Sequence, residues 1–105
     1  MFSVDEKNNV RMTRGDTGRM KISVTCDGKP YKVAADEQLV LTVAMAINKP
    51  PVLQMEIGGA DTFQFTSEDT QHCELFRHRY NVKLVRANGD EHTVIPWSYF
   101  EICRG

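Results

Sequence analysis

Apolar and polar residues alternate along several short stretches of the chain, a pattern typical of strands that bury one face. The first stretch places Met20, Ile22 and Val24 on one side and ends at the turn pair Asp27-Gly28. A second stretch adds small or apolar residues on its other face, so we predict a strand in the interior of a sheet. Its apolar stripe consists of Leu39, Leu41, Val43, Met45 and Ile47.

The alternation continues through the second half of the chain. Pro50-Pro51 interrupts the pairing because proline cannot donate to a ladder, and the pattern restarts after it. Asn88-Gly89 is a pair favoured in two-residue hairpin turns, so we predict a hairpin around it. The apolar positions of these later strands are Leu53, Met55, Ile57, Phe63, Phe65, Tyr80, Val82, Leu84, Phe100 and Ile102.

About seven or eight short strands separated by turn signals predict an all-β fold, either a sandwich or a small barrel. Residues 66–70 are rich in helix-capping side chains, which predicts one short helical turn or a tight loop that reaches to about Leu75. The length fits a single domain over residues 1–105, with a flexible N-terminus at residues 1–9. The predicted interior is formed by Ile22, Leu41, Val43, Phe65, Val82 and Leu84.

Composition and charge argue against two classes of binding partner, nucleic acid and membranes. Thirteen Lys and Arg residues against fourteen Asp and Glu give a formal charge of -1, so no positive field attracts nucleic acid or an anionic membrane. No apolar run approaches the ~20 residues of a membrane-spanning helix, and the polar start does not resemble a signal peptide. We therefore expect no nucleic-acid partner, no membrane partner and synthesis in the cytoplasm.

Candidate catalytic or metal-binding chemistry is sparse. Three widely spaced cysteines form no C-x-x-C pair and are interpreted as free, buried thiols: Cys26, Cys73 and Cys103. Three histidines match no standard zinc spacing: His72, His78 and His92. Gly58-Gly59 lacks the Lys and Ser or Thr of a phosphate loop. We expect no enzymatic activity, no metal and no cofactor.

Two short polar motifs are predicted to be structural turns. Arg14-Gly15-Asp16-Thr17 precedes the Met20 strand, where glycine permits an unusual backbone and the polar side chains bond nearby N–H groups. Its Arg-Gly-Asp triplet also occurs in adhesion proteins, but the chain shows no secretion signal or disulfide framework. Glu68-Asp69-Thr70 falls at the predicted helical turn. The two aspartates are therefore interpreted as turn residues rather than a catalytic acid pair.

The order of these motifs resembles small bacteriophage and prophage proteins that are similar to the N-terminal immunoglobulin-like domain of the siphophage upper baseplate protein. In that group an R-G-D-T turn opens the first long strand, and an E-D-T turn precedes a strand that begins with tyrosine. Arg77 to Arg79 differ from the pattern, which often has glycine there. The shared motifs are Arg14-Gly15-Asp16-Thr17, Leu41-Thr42-Val43, Phe63-x-Phe65, Glu68-Asp69-Thr70, Tyr80-Asn81-Val82, and Thr93-Val94 through Phe100-x-Ile102.

The resemblance implies an immunoglobulin-like β-sandwich that assembles into a phage tail or baseplate. The implied partners are other tail or baseplate proteins and further copies of the chain. The implied location is the bacterial host cytoplasm during synthesis and the virion tail after assembly. No catalytic residue is implied.

The final stretch carries large side chains on both faces. Phe100 and Ile102 can fill the core, so Trp97 and Tyr99 on the other face are predicted to lie at a subunit contact near an open sheet edge. The alternative is a carbohydrate-binding module that uses the flat rings of Trp97, Tyr99 and Tyr31. Exposed coplanar rings in a groove would favour carbohydrate, whereas a flat apolar patch or a paired edge would favour assembly.

Overall fold

The computed structural model describes residues 1–104, and 54% of the chain is strand against 5% helix, which confirms the all-β prediction. These residues form ten strands and one helix, more strands than the seven or eight predicted, because several short strands within the first 30 residues were not recognised. The elements are β1 (Phe2–Val4), β2 (Val10–Thr13), β3 (Gly18–Lys21), β4 (Thr25–Cys26), β5 (Lys29–Pro30), β6 (Gln38–Ala44), β7 (Pro51–Gly58), β8 (Thr62–Phe65), α1 (Ser67–Gln71), β9 (Arg77–Val85) and β10 (Glu91–Cys103).

Six strands form one curled mixed sheet, called here the main sheet, in the order β1-β2-β10-β9-β6-β7. Its pairs are antiparallel except for β2 and β10, which run parallel and place Val10 beside Phe100. The other strands form two small antiparallel sheets, β3-β8 and β4-β5. The predicted interior strand is β6, which lies between β7 and β9.

The terminal strand β10 is paired on both sides over only part of its length. It pairs with β9 on one side, and on the other side it pairs with β2 from Phe100 to Cys103 only. Trp97 and Tyr99, near which we predicted an open edge, precede the segment that pairs with β2, while in the strand order the main sheet ends at β1 and β7. The C-terminal position of β10 in the sequence gave no indication of this, because the N-terminal strand β2 supplies its second neighbour.

The hydrophobic core lies between the inner face of the main sheet and the β3-β8 pair. Phe65 of β8 packs against Phe100 of β10 with ring centroids 5.7 Å apart, and Tyr80 of β9 meets Phe100 edge-on at 5.7 Å. All six residues predicted to share the interior belong to this one buried cluster: Ile22, Leu41, Val43, Phe65, Val82 and Leu84.

Two predicted strands are shorter than their alternation suggests. The first ends at Lys21, although Ile22 and Val24 remain buried beyond it. The interior strand ends at Ala44, so Ile47 lies outside it and is 53% exposed. The turn at residues 45–49 follows Ala44, and pairing with β6 resumes at Pro51.

The N-terminal segment, expected to be flexible over residues 1–9, takes part in the fold. Strand β1 pairs Phe2 with Met12 and Val4 with Val10. The Phe2 ring stacks at 5.4 Å from Phe65 and lies over Gly18, where an added Cβ would come within 2.6 Å of it. The pairing of β1 with β2 and the packing of Phe2 together hold a segment whose polar composition suggests a tail.

Turn chemistry was predicted correctly at one hairpin and partly at the other. Asp27 and Gly28 both have positive φ, 52° and 77°, and connect β4 to β5 as expected. At the β9-β10 hairpin Gly89 has φ 91°, but Arg86 N–H donates to the Asp90 carbonyl at 2.8 Å. The connection is thus residues 87–89, one residue longer than the predicted two-residue turn.

Candidate functional site

The two predicted turn motifs contact each other. Thr70, completely buried, accepts a hydrogen bond through its Oγ1 from the Gly15 backbone N–H at 2.9 Å. Gly15 has φ 85°, a conformation that L residues with side chains rarely adopt. The bond joins the turn between β2 and β3 to helix α1, which gives both motifs a structural role.

The remaining residues of the two motifs lie around this bond. The Asp69 carboxylate accepts from the Thr66 N–H at 2.6 Å and so caps α1, while Asp16 pairs with the N-terminal ammonium of Met1. The Arg14 N–H donates to the Cys103 carbonyl at 2.9 Å, which ties the first turn to the end of β10. The side chains exposed to solvent are those of Arg14, Thr17 and Glu68.

Tyr99 and Trp97 lie on the outer face of the main sheet, opposite the core. Tyr99 is 39% exposed, and its strand neighbour Phe100 is fully buried. Trp97 is half-buried and lines a groove with Asn81 and Lys83 of β9. The prediction that these two rings share the face opposite Phe100 and Ile102 therefore agrees with the structure.

Two arginines of β9 cover the Tyr99 ring. The guanidinium carbons of Arg77 and Arg79 lie 5.0 Å and 4.5 Å from the ring centroid, within cation–π range. Arg79 is directly opposite Tyr99 in the β9-β10 register, and its Nε is enclosed without a hydrogen-bond partner among residues 1–104. We call Arg77, Arg79, Trp97 and Tyr99 the outer-face patch.

The loop between β1 and β2 holds the outer-face patch in place. The Tyr99 N–H donates to Asn9 Oδ1 at 3.0 Å. Asp5 in turn accepts from the Asn9 and Lys7 N–H groups, both at 2.9 Å, and the bond from Asn9 is the first cause that lowers the pKa of Asp5. Beside the patch, Arg11 lies 3.5 Å from the Glu101 carboxylate. The exposed aromatic ring thus sits in a preformed surface rich in arginine.

A second polar cluster was missed by the sequence analysis. Glu37 is only 6% exposed and accepts hydrogen bonds from Tyr31 OH at 2.6 and 2.7 Å and from the Ala34 N–H at 2.9 Å. Arg86 Nε lies 3.5 Å from Oε2 of Glu37, and the Arg86 guanidinium lies 5.5 Å from the centroid of the Tyr31 ring. Glu37 belongs to the polar run Asp36-Glu37-Gln38, which gives no sign that one carboxylate turns inward.

Two members of this cluster, Tyr31 and Arg86, line a cavity of about 250 Å³ together with residues that include Cys26 and His92. The hydrogen bond from Tyr31 is the first cause that lowers the pKa of Glu37, and the same bond raises the pKa of Tyr31. An ionised carboxylate with these donors is a stable structural anchor, since each oxygen already has a partner. Through Glu37 the cluster therefore connects Tyr31, which follows β5, to Arg86, which follows β9.

The residues with catalytic or metal-binding potential are dispersed. His78 is completely buried with Nε2 at 3.0 Å from the Glu74 carbonyl, and within residues 1–104 no three His, Cys, Asp or Glu side chains form a metal-binding group. Of the cysteines only Cys73 is buried, which raises the pKa of its thiol. Cys26 is exposed, contrary to prediction, because it lies on the solvent-facing β4-β5 hairpin.

No helix in the described part of the chain is long and apolar enough to cross a membrane. Comparisons with known proteins add no relative: no protein-family model, no curated protein and no solved structure matches this chain.

Proposed function

We propose that this chain is a structural protein of a bacteriophage or prophage tail or baseplate, and that it acts through contacts with other tail proteins. Two observations support the proposal. The motif order resembles that of the baseplate proteins described above, and the main sheet presents a preformed aromatic and arginine surface to solvent. In this proposal the immunoglobulin-like sandwich consists of the main sheet and the β3-β8 pair, with the shared core between them.

The outer-face patch is the single observation that carries the proposal furthest. Tyrosine and arginine are enriched among the residues that dominate protein interfaces, and they are most effective when they are already ordered. Tyr99 is held by its strand, by Arg79 across the β9-β10 ladder and by the bond from its N–H to Asn9. Little side-chain entropy would remain to be lost when a partner covers it.

The carbohydrate-binding alternative finds less support from the same geometry. Sugars stack on an open aromatic face, but Arg77 and Arg79 both approach the ring of Tyr99. Tyr31 is likewise occupied, since Arg86 stands over its ring and its hydroxyl donates to Glu37. Trp97 is half-buried in a groove on the sheet face. Guanidinium groups beside tyrosine suit a protein surface with carboxylates better than a neutral sugar.

Complementation in the phage or prophage that encodes the chain tests the proposal. The gene would be deleted and returned as wild type or as Tyr99→Ala combined with Arg79→Ala, and the protein would be quantified in purified particles. We expect wild-type protein in tails and at least about a tenfold reduction for the double variant, as removal of interface anchors typically costs more than 1 kcal/mol.

Gln64→Ala is the matched control, because Gln64 is exposed on β8, remote from the patch. Both variants should retain the thermal midpoint of the wild type to within a few degrees. Complete, infective tails that contain none of this protein would contradict the proposal.

A further inference from the structure

Within residues 1–104, strand β7 ends the main sheet, and one side of it has a row of unpaired backbone groups. The Gly59 N–H donates to the Glu37 carbonyl at 3.0 Å. With the β6-β7 register, this bond shows which residues of β7 direct their backbone N–H and C=O groups towards β6. In an antiparallel pair alternate residues point their N–H and C=O groups to the same neighbour. Leu53, Met55 and Ile57 therefore bond to β6, and the backbone groups of Gln54 and Glu56 point away from the sheet.

This edge has few of the features that normally prevent pairing. It is eight residues long, whereas β1 at the opposite end of the sheet has three. Proteins guard such edges with lysines, prolines or bulges. Here Pro51 and a register shift that leaves Val52 as an extra residue guard only the beginning of the strand. The regular segment from Leu53 to Ile57 contains a single charge, on Glu56.

The side chains of this segment are complementary to a second copy in one register. A two-fold axis through Met55 pairs Gln54 with Glu56 of the other copy, and hydrogen bonds between these two residues use the free backbone groups described above. On the outer face each Glu56 carboxylate then meets a Gln54 amide rather than another carboxylate. On the inner face Met55 meets Met55, and Leu53 meets Ile57.

The inner-face side chains supply a second reason for a partner. Leu53, Met55 and Ile57 pack against the core but remain half-exposed at the edge of the sheet. A two-fold axis perpendicular to the sheet would continue this apolar row from one copy to the next, so each half-exposed side chain would gain a neighbour. Registers that centre on Glu56 would instead oppose two carboxylates.

We propose that two copies of this chain associate by antiparallel pairing of β7 with β7 about Met55, so that the two main sheets become continuous. This inference deepens the proposed function, since it rests on the premise that the chain is an assembly component. It uses an edge distinct from the outer-face patch, which stays free for a different tail protein.

Oxidative cross-linking tests the register. In a background with Cys26→Ser and Cys103→Ser, Met55→Cys should form a disulfide-linked dimer, because directly opposed Cα atoms in this type of pair lie about 4.5 Å apart. Glu56→Cys is the matched control on the next residue. Its symmetry mate is diagonal, at roughly 7–8 Å, and should cross-link poorly. Equal cross-linking of the two variants would overturn the register.

Charge variants at Gln54 test the association without changing a core side chain. Gln54→Glu opposes a carboxylate to Glu56 of the other copy at two symmetric places, so the dimer dissociation constant from sedimentation should rise about tenfold. Gln54→Lys should lower it. A strict monomer at high micromolar concentration, or a constant unaffected by Gln54→Glu, would overturn the inference. Either result leaves the proposed function to its own test, which measures incorporation into tails through Tyr99.

Discussion

The buried carboxylate of Glu37 is a single group that makes the stability of the fold depend on pH in the acid range. Hydrogen bonds from Tyr31 OH and the Ala34 N–H, followed by the charges of Arg86 and His92, hold its pKa below the ordinary value of 4.5. The unfolded carboxyl therefore takes up a proton before the folded one does. The stabilisation from this group is complete above about pH 4.5 and is lost as the pH falls through the lowered pKa.

We expect Glu37→Gln to reduce the loss of stability that the wild-type protein shows as the pH falls below about 4.5. Thermal midpoints measured between pH 7 and pH 3 should fall less steeply below pH 4.5 in the variant, whose midpoint at pH 7 should lie below that of the wild type. Glu6→Gln removes an exposed carboxylate of the same charge and should preserve the wild-type slope. An unchanged acid limb in Glu37→Gln would show that Glu37 is not anchored in this way.

At the scale of elements, the Thr70 hydroxyl couples α1 to the turn before β3. Thr70→Val retains the shape of the side chain but removes the acceptor for the Gly15 N–H, which is left without its partner. The free energy of unfolding should fall by about 1–3 kcal/mol in denaturant titrations. Thr70→Ser keeps the acceptor and should lose less. A larger loss for Thr70→Ser than for Thr70→Val would mean that the methyl group, not the bond, matters.

The sequence predicted elements better than it predicted their neighbours. Alternation identified β6, β8 and β9 because one buried face imposes a period of two on the side chains. It could not reveal that β2 lies beside β10, since pairing between distant strands leaves no local pattern. Likewise Trp97 and Tyr99 were assigned to the correct face, but the arginines that cover Tyr99 come from β9. Glu37 was missed because its inward orientation depends on Tyr31 and Arg86.

For the whole molecule, one shared core predicts that truncating a buried side chain destabilises the protein by a similar amount in the main sheet and in the β3-β8 pair. Leu41 of the main sheet and Phe65 of β8 are both completely buried in the same cluster. Leu41→Ala and Phe65→Ala should each lower the free energy of unfolding by roughly 2–5 kcal/mol, through lost burial and a residual cavity. Gln64→Ala, on the exposed side of β8, should stay within about 0.5 kcal/mol. Losses below that value at both core sites would contradict the described packing.

The parallel pairing of β2 with β10 has a consequence for the order of folding. Val10 and Phe100 are neighbours in space although almost the whole chain separates them in sequence. Contacts of such long range close large loops, and proteins dominated by them fold in milliseconds to seconds rather than microseconds. During synthesis β2 receives its second neighbour only after β10 is made. Until then Val10 and Met12 lack the strand that lies beside them, so the nascent chain is prone to misassembly before β10 is made.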